Sequence, residues 1–224
     1  MYEVLSGIVG STAYGLAHEG SDVDRLGLFA VPTEELHGLR RPAESHVTTA
    51  PDRTWHEAAK WCRLALSCNP TASELVWLPD DLYEVRTEPG EELIGLRSTL
   101  LSSRAVRDSY LGYATQQFRK LQTRDRTDVR ARTQGAKHAR HLVRLLEQGV
   151  GLHETGELRV RLADPERIRE LGERFADHPD LAAPLLADAE RRFDRPGVLP
   201  DAPDEPAVEA WLRRLRRTRL PAAA

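Results

Sequence analysis

The chain has 224 residues, of which 40% are hydrophobic, which is enough for one large domain or two small ones. The sequence shows neither an apolar run of roughly 18 residues nor a basic-then-apolar leader, so we expect a cytoplasmic protein without a membrane partner. Two cysteines, Cys62 and Cys68, are too few for a disulfide scaffold and lack Cys-x-x-Cys spacing. A reduced core thiol is therefore predicted for Cys62.

The net charge of −3 conceals an asymmetry between the two halves of the chain. Residues 1–100 contain 8 Lys and Arg against 16 Asp and Glu, whereas residues 101–224 contain 24 against 19. An acidic first half agrees with carboxylates that bind a metal ion. A basic second half would attract the phosphates of a nucleotide or of an RNA acceptor.

The first predicted elements are a strand and a short helix. The apolar run "VLSGIVG" predicts a buried strand, and "STAYGLA" predicts a short helix with Ser11 near its N-terminus. Gly10 allows the backbone to approach a ligand closely. Amide groups at the helix start, together with the Ser11 hydroxyl, predict a site for the phosphates of a nucleotide.

Two aspartates follow, Asp22 and Asp24, separated by one valine and succeeded by the apolar strand "LGLFAV". In an extended segment both side chains lie on one face, where their charges repel each other. A hard cation between them would relieve that repulsion, and Mg²⁺ typically takes one or two carboxylates plus substrate phosphates. We therefore expect Mg²⁺ at this position, with Mn²⁺ as the alternative ion.

Later segments complete an α+β prediction. The stretch "HVTTAPDRTW" predicts another short strand with Asp52 near its end, an apolar stripe predicts a helix over 55–67, and "NPTASELVWL" predicts a turn and a helix in which Thr71 and Glu74 have capping-box spacing. From about residue 101 the pattern is wholly helical, with late segments at 165–177, 180–193 and 205–218. We predict an N-terminal catalytic domain, residues 1–100, and a C-terminal helical domain, residues 101–224.

The order of strand, Gly-Ser, short helix, Asp-x-Asp and strand in "GSTAYGLAHEGSDVDRLGLF" resembles the nucleotidyltransferase signature of the DNA polymerase beta superfamily. Within that superfamily the segment is most similar to predicted bacterial nucleotidyltransferases that occur in RNA-repair contexts. The resemblance spans most of residues 4–175. It implies a nucleotidyltransferase-like mixed sheet with helices. It also implies metal-dependent transfer of NMP from an NTP, ATP included, to an acceptor hydroxyl with release of pyrophosphate.

The resemblance leaves the acceptor open among RNA, a protein and a small molecule, with RNA favoured by the family association and the basic second half. A catalytically inactive nucleotide- or RNA-binding protein that has kept the cleft is the alternative. The Gly-x-x-x-x-Gly-Lys-Ser/Thr pattern of P-loop kinases and the Gly-x-Gly-x-x-Gly pattern of dinucleotide enzymes do not occur at the first strand.

A third carboxylate often completes this kind of site. Asp52 is the candidate for catalysis and metal binding beside Asp22 and Asp24, because the segment "DRTWHEAAKW" resembles the corresponding stretch of the same branch. Glu57 is the competitor. Either residue is also explained by the preference for acidic groups at the start of a helix.

The helical segment "GAKHARHLVRLLEQGVGL", residues 135–152, carries a second group of polar residues. Lys137, His141 and Arg144 are spaced to share a helix face, and His138 is adjacent. By resemblance to the family, these four residues are expected to bind nucleotide phosphate. The alternatives are a solvated basic surface for Lys137 and Arg144, and structural hydrogen bonds for His138 and His141, since no HExxH pattern supports zinc.

The ending "WLRRLRRTRL" concentrates arginines around Trp211 and Leu215. It is consistent with contact to nucleic acid, but an amphipathic terminal helix with an arginine-rich outer face is the favoured interpretation, because no RNA-binding motif accompanies it. The arginines concerned are Arg213, Arg214, Arg216, Arg217 and Arg219.

Overall fold

The fold is taken from a computed structural model that describes residues 1–123 and 129–219. Within these residues the chain forms a five-stranded mixed sheet and nine α-helices, which confirms the predicted α+β class. Strands and helices of the first hundred residues are β1 (Tyr2–Ile8), α1 (Gly10–Tyr14), β2 (Arg25–Ala30), β3 (Ser45–Thr49), β4 (Asp52–Glu57), α2 (Ala58–Leu66), α3 (Pro70–Glu74), β5 (Tyr83–Arg86) and α4 (Glu88–Gly95). The remaining helices are α5 (Ser103–Gln122), α6 (Val129–Thr155), α7 (Pro165–Asp177), α8 (Ala183–Phe193) and α9 (Glu205–Arg217).

The sheet has the strand order β3-β4-β2-β1-β5. Strand β2 lies in the middle and runs parallel to β4, whereas the other neighbouring pairs are antiparallel. The central strands β1 and β2 are buried over most of their length, as expected for apolar runs covered on both faces. The strands predicted from "VLSGIVG" and "LGLFAV" are therefore confirmed.

The stretch "HVTTAPDRTW", which was predicted to contain one strand, contains parts of two. Strands β3 and β4 form a hairpin in which Thr49 pairs with Asp52, so Asp52 begins a strand instead of lying near the end of one. Pro51 lies in the connection, where its missing N–H costs no ladder hydrogen bond. The pattern of "HVTTAPDRTW" did not show this reversal because its threonines suit a strand on either side of the turn.

Helix α2 begins at Ala58, three residues later than the apolar stripe predicted. Trp55 belongs to β4, and the Glu57 side chain caps the helix by accepting a hydrogen bond from the Ala59 N–H at 2.9 Å. Cys62 is buried on α2 and neither cysteine forms a disulfide, as predicted. Burial is the main factor that raises the pKa of the Cys62 thiol to about 12.

The cap of helix α3 also differs from the prediction. Asn69 accepts hydrogen bonds from the N–H groups of Thr71 and Ala72, at 3.2 and 3.0 Å, and Pro70 occupies the first turn. The predicted capping box of Thr71 and Glu74 is therefore wrong. The Asn side chain was the stronger cap signal because Pro70 directly follows it.

The chain divides into two compact units. The first contains Met1–Leu101 together with the segment from Pro203 onward, and the second contains Ser102–Ala202. The predicted assignment of residues 101–224 to one helical domain differs from this packing at α9, which belongs to the first unit. Residues 124–128 and 220–224 of that predicted domain lie outside the described residues.

Helix α9 packs in the first unit through its apolar stripe. Trp211 has no exposed surface, and its indole N–H donates a hydrogen bond to the Pro89 carbonyl at 2.9 Å. The Thr33 hydroxyl donates to the Arg216 carbonyl at 2.6 Å. An amphipathic pattern shows that a helix covers a core but not which core it covers, so the sequence did not reveal this placement.

The second unit is a helical bundle. Helices α5 and α6 approach closely at Gly149, where a Cβ would lie 2.6 Å from the Tyr110 Cβ. Ser102 and Asp164 cap α5 and α7 with their side chains. The predicted segment 165–177 matches α7, whereas the predicted segment 180–193 comprises a 3₁₀ turn, Pro179–Ala182, and α8. In the described part of the chain no helix is both long and apolar enough to cross a membrane.

Candidate active site

The Asp24 carboxylate lies directly against Gly10. A Cβ on Gly10 would overlap Asp24 Oδ2 and would lie 2.9 Å from Asp24 Cγ, a separation that real Cβ atoms do not show. Gly10 has φ +68°, a backbone conformation that residues other than glycine rarely adopt. The small residue and the acidic residue predicted to serve one ligand are thus in contact.

Strand pairing explains why these two residues meet. The end of β1 pairs with the start of β2, with Ile8 opposite Arg25, and the Val9 N–H donates to the Asp24 carbonyl at 2.9 Å. Helix α1 starts immediately after β1, so its first turn is placed beside the residues that precede β2. An antiparallel ladder between two apolar strands therefore brings together segments that are 14 residues apart.

Asp22 and Asp24 differ in their environment. Asp22 is exposed, whereas Asp24 is half-buried in the angle between α1 and β2. The intervening loop leaves α1 through Gly15 at φ +78°, and it is tightened by a hydrogen bond from the His18 N–H to the Ser21 hydroxyl at 2.9 Å. Ser11, in the first turn of α1, is also half-buried.

Asp52 is the register neighbour of Asp24. Strands β2 and β4 are parallel, with Arg25 beside Arg53. Asp24 precedes Arg25 and Asp52 precedes Arg53, so the two aspartates are also neighbours. Because side chains alternate between faces along a strand, these two carboxylates share a face at one edge of the sheet. Asp52 is exposed.

Glu57 lies at the other end of β4, where it pairs with Phe29, and the same alternation places it on the opposite face. It is 5% exposed, and its Oε1 lies 2.5 Å from Arg216 Nη2. With its other oxygen capping α2, Glu57 is engaged structurally. Of the two candidates for the third carboxylate, the sheet brings only Asp52 alongside Asp24.

The donor atoms at this edge of the sheet are carboxylate oxygens, which are the ligands that Mg²⁺ and Mn²⁺ prefer. Asp22, Asp24 and Asp52 therefore fit such an ion chemically. Within residues 1–123 and 129–219, no three His, Cys, Asp or Glu side chains are already gathered as a metal-binding group. The ligand role of the three aspartates stays a prediction.

Tyr14 and Glu74 form a polar contact that sequence reasoning missed. The Tyr14 hydroxyl donates to the Glu74 carboxylate, with both oxygens at 2.8 Å, and both side chains are buried. The contact joins the last residue of α1 to the last residue of α3, so it orients the helix that begins with Gly10 and Ser11. A glutamate within the apolar stretch "SELVWL" was the available signal, since buried carboxylates are usually paired.

In the second unit, the polar residues predicted on α6 do not share one environment. Lys137 is exposed, whereas Arg144 is 1% exposed and donates from Nη1 to Gln148 Oε1 at 2.6 Å. Gln148 in turn donates to the carbonyls of Arg159 and Val160. The interpretation of Arg144 as part of a solvated basic surface is therefore wrong, because its guanidinium belongs to the interior of the bundle.

Both histidines of this helix make hydrogen bonds. His138 Nδ1 lies 2.7 Å from Gln117 Oε1 on α5, and Arg144 Nη2 lies 3.1 Å from His141 Nδ1. Burial, followed by the positive charge of Arg144, lowers the pKa of His141 to about 3, so its ring is neutral and accepts from the guanidinium. Structural hydrogen bonding accounts for both histidines, and phosphate binding by the four residues stays a prediction.

The arginine-rich segment that spans the end of α9 and the residues just after it is largely engaged within the first unit. Arg217 is exposed, but guanidinium groups at four other positions meet a carboxylate or an aromatic ring: Arg213 with Glu209, Arg214 with Glu92, Arg216 with Glu57, and Arg219 over the Tyr2 ring. These contacts favour the interpretation as an amphipathic terminal helix over a surface reserved for nucleic acid.

A mixed sheet that sets the Gly10–Ser11 helix start against Asp24 agrees with the nucleotidyltransferase signature that the sequence resembles. The chain belongs to the RNA repair pathway DNA polymerase beta family, RlaP, whose profile matches residues 3–184. This membership indicates a nucleotidyltransferase role in RNA repair. No curated protein matches the chain.

Proposed function

We propose that this protein transfers NMP from an NTP to an acceptor hydroxyl, with release of pyrophosphate, in a reaction that depends on Mg²⁺ or Mn²⁺. An RNA end in the cytoplasm is the favoured acceptor, because the family is associated with RNA repair. The observation that carries the proposal is the contact between Gly10 and the Asp24 carboxylate. It supports a single site in which Gly10 and Ser11 bind the phosphates of an NTP while Asp22 and Asp24 bind the ion on the same triphosphate.

Each residue at the sheet edge has a distinct part in this proposal. Asp22 and Asp24 would hold the ion, and Asp52 would complete the ligand set and accept the hydrogen bond of the acceptor hydroxyl. The ion, when bound, supplies positive charge against the phosphate oxygens and lowers the pKa of the attacking hydroxyl. Gly10 leaves the backbone open to a phosphate, and the Ser11 hydroxyl donates a hydrogen bond to it.

The residues of α6 have a supporting part. Lys137 is exposed, so we assign to it the direct contact with a nucleotide phosphate. Arg144 is held inside the bundle by Gln148, and it fixes His141 through their hydrogen bond. His138, His141 and Arg144 would then act on phosphate by shaping the helix that presents Lys137.

The test is a transfer assay with α-labelled NTPs, run with Mg²⁺ and with Mn²⁺ against RNA, protein and small hydroxylated acceptors. We expect Asp22→Ala and Asp24→Ala each to lower the transfer rate at least 100-fold while the protein still folds, because electrostatic stabilisation of the reaction is lost. Asp201→Ala is the matched control, since Asp201 is an exposed aspartate of the second unit.

Full activity in both variants would reject the assignment. Binding of nucleotide by the wild-type protein without labelled product across the whole acceptor panel would identify the alternative, a nucleotide- or RNA-binding protein that has no transferase activity.

A further inference from the structure

A serine, a histidine and a lysine meet at one end of the outer hairpin of the sheet, and Asp52 lies at its other end. Ser45 on β3 and His56 on β4 are directly paired residues of the antiparallel ladder, and Ser45 Oγ lies 2.8 Å from His56 Nδ1. Lys60, in the first turns of α2, donates from Nζ to the same Ser45 Oγ at 2.7 Å. All three side chains are partly exposed, so a ligand can reach them.

The positions of the hydrogens follow from these partners. An ammonium group can only donate, so Lys60 occupies a lone pair of Ser45 Oγ and cannot take the hydroxyl hydrogen. His56 Nδ1 is the acceptor within reach, provided that the ring is neutral. Burial, and then the charge of Lys60, lower the pKa of His56 from its ordinary value, which favours the neutral ring.

The remaining charges nearby leave Lys60 directed at the serine. The carboxylate of Glu44, which precedes Ser45, is paired with Arg63 at 2.5 Å. Lys60 forms no ion pair with a carboxylate in the described part of the chain. Its positive charge therefore stabilises negative charge that develops on Ser45 Oγ.

A hydroxyl that donates to a neutral histidine and accepts from an ammonium group is arranged as an activated nucleophile. The adjacent cation also selects the kind of electrophile. A phosphoric anhydride carries negative oxygens that Lys60 attracts, and it has a leaving group that departs as phosphate or pyrophosphate. The geometry of the cluster is thus suited to attack on phosphorus.

We propose that Ser45 is an acceptor hydroxyl built into the protein, which receives a nucleotidyl group from an NTP. This proposal rests on the proposed function. Ser45 Oγ forms a bond to the α-phosphorus, the bond from that phosphorus to the bridging oxygen of pyrophosphate breaks, and pyrophosphate leaves with the electron pair. The hydroxyl proton passes to His56 Nδ1.

The NTP is supplied by a second copy of the chain. His56, the strand partner of Ser45, is four residues along β4 from Asp52, and four residues of a strand span about 13 Å. An ion held by Asp22 and Asp24 at the far end of the strand does not bring the α-phosphorus of its NTP within bonding distance of Ser45 in the same chain.

The chain contains a second serine–histidine pair that serves as a control. Ser103 Oγ lies 3.5 Å from His153 Nδ1, and His153 Nε2 lies 2.9 Å from the Arg195 carbonyl, so Nε2 donates and Nδ1 is again an acceptor. Within the residues that the structure describes, no lysine donates a hydrogen bond to Ser103, and the oxygen-to-nitrogen distance is 0.7 Å longer than in the Ser45 pair. We infer no activation at Ser103.

The first test measures the nucleophilicity of Ser45 without any NTP. A fluorophosphonate probe forms a bond from Ser45 Oγ to phosphorus with loss of fluoride. Wild type and Asp24→Ala are expected to be labelled at Ser45, Ser45→Ala to lose the labelled peptide, and Ser103→Ala to keep it. His56→Gln and Lys60→Met are expected to react at least tenfold more slowly, and Lys60→Arg to recover part of the rate.

The second test measures transfer between chains. A tagged Asp24→Ala chain, which keeps Ser45, is mixed with an untagged Ser45→Ala chain, which keeps the aspartates, and both are supplied with α-labelled NTPs and Mg²⁺. Labelled nucleotide on the Ser45 peptide of the tagged chain is expected, and neither chain alone is expected to carry it.

The two proposals fail in different ways. Transfer to an external acceptor without label on Ser45 would overturn the self-acceptor proposal and leave the transferase proposal intact. If no acceptor receives a nucleotide but the fluorophosphonate labels Ser45 fast, the transferase proposal is rejected, and so is the NTP as the electrophile. Ser45 would then still be an activated nucleophile. Labelling of Ser45 no faster than that of Ser103 would overturn the activation itself.

Discussion

The side chain of Asp24 occupies the space in which any residue larger than glycine at position 10 would place its Cβ. The first prediction concerns Gly10→Ala. A Cβ there would displace the carboxylate, and alanine at φ +68° would add strain of about 1–2 kcal/mol. Because displacement of a reacting group by about 1 Å can cost on the order of 100-fold in rate, we expect a loss of nucleotidyl transfer of that size, measured with α-labelled NTP.

Gly20→Ala is the matched control for Gly10→Ala. Gly20 has φ +84°, but a Cβ there would meet no atom within 4 Å. It should therefore lower the free energy of unfolding by a similar strain energy and leave the transfer rate nearly unchanged. Equal rates for the two variants would show that the contact between Gly10 and Asp24 does not position the carboxylate for catalysis.

The second prediction separates Asp52 from Glu57. Asp52 is exposed beside Asp24, so Asp52→Ala should abolish transfer and leave the urea unfolding midpoint unchanged. Glu57→Ala removes one partner of a buried ion pair and a helix cap, which should lower the free energy of unfolding by about 3–5 kcal/mol. The fraction of this variant that remains folded should keep its transfer rate.

Adding Arg216→Met to Glu57→Ala should recover part of the lost stability, since the buried charge that had no partner is then removed. A loss of activity in folded Glu57→Ala, together with full activity in Asp52→Ala, would exchange the roles assigned to these two carboxylates.

The elements around the Gly-Ser bend were predictable because their signals are local. Apolar runs gave β1 and β2, and the small residues between β1 and α1 identified the turn. Asp52 was preferred to Glu57 by resemblance alone, since a choice made from the residues themselves depends on the parallel register of β2 and β4. A shift of one residue in the pairing of two strands moves each side chain to the opposite face of the sheet. The sequence of β4 does not reveal which strand it pairs with.

Contacts between distant segments were hidden for the same reason. Ser45 and His56 become neighbours only through the hairpin that the sequence did not reveal, and Arg144 looked like a surface residue because its carbon chain and charge give no sign of the Gln148 partner. Helix α9 could be predicted as a helix, but its place beside Pro89 and Glu57 required the tertiary structure.

The third prediction tests whether α9 stabilises the first unit. Trp211 is completely buried and its indole donates to the Pro89 carbonyl, so Trp211→Ala should lower the free energy of unfolding by about 3–5 kcal/mol in urea denaturation. Arg213→Ala is the control on the same helix. Arg213 is exposed and forms a surface ion pair with Glu209 one turn earlier, so its loss should change stability by less than about 0.5 kcal/mol.

Equal effects of Trp211→Ala and Arg213→Ala would show that α9 contributes little to the stability of the first unit. A deletion of residues 203–224 should lower the free energy of unfolding by more than Trp211→Ala does, because it removes the buried indole and also leaves the buried Glu57 carboxylate without Arg216.

The fourth prediction concerns acid and the buried His141. Its pKa is about 3 in the folded chain and near 6.5 when unfolded, because burial, and then the charge of Arg144, disfavour the protonated ring. Between these values the unfolded state binds the additional proton, so the stability contributed by the neutral ring is complete above pH 6.5 and declines as the pH falls toward 3. For this one group the decline amounts to about 2 kcal/mol between pH 7 and pH 5.

His141→Gln should remove that decline, because glutamine keeps an acceptor for Arg144 Nη2 but does not titrate. The measurement is the difference in urea unfolding free energy between wild type and variant at pH 7 and at pH 5. His178→Gln, at an exposed histidine of the same unit, is expected to follow the wild-type curve. If the wild type and His141→Gln lose stability equally between these pH values, His141 does not stay neutral in the folded bundle, and the hydrogen bond from Arg144 must be formed with another acceptor.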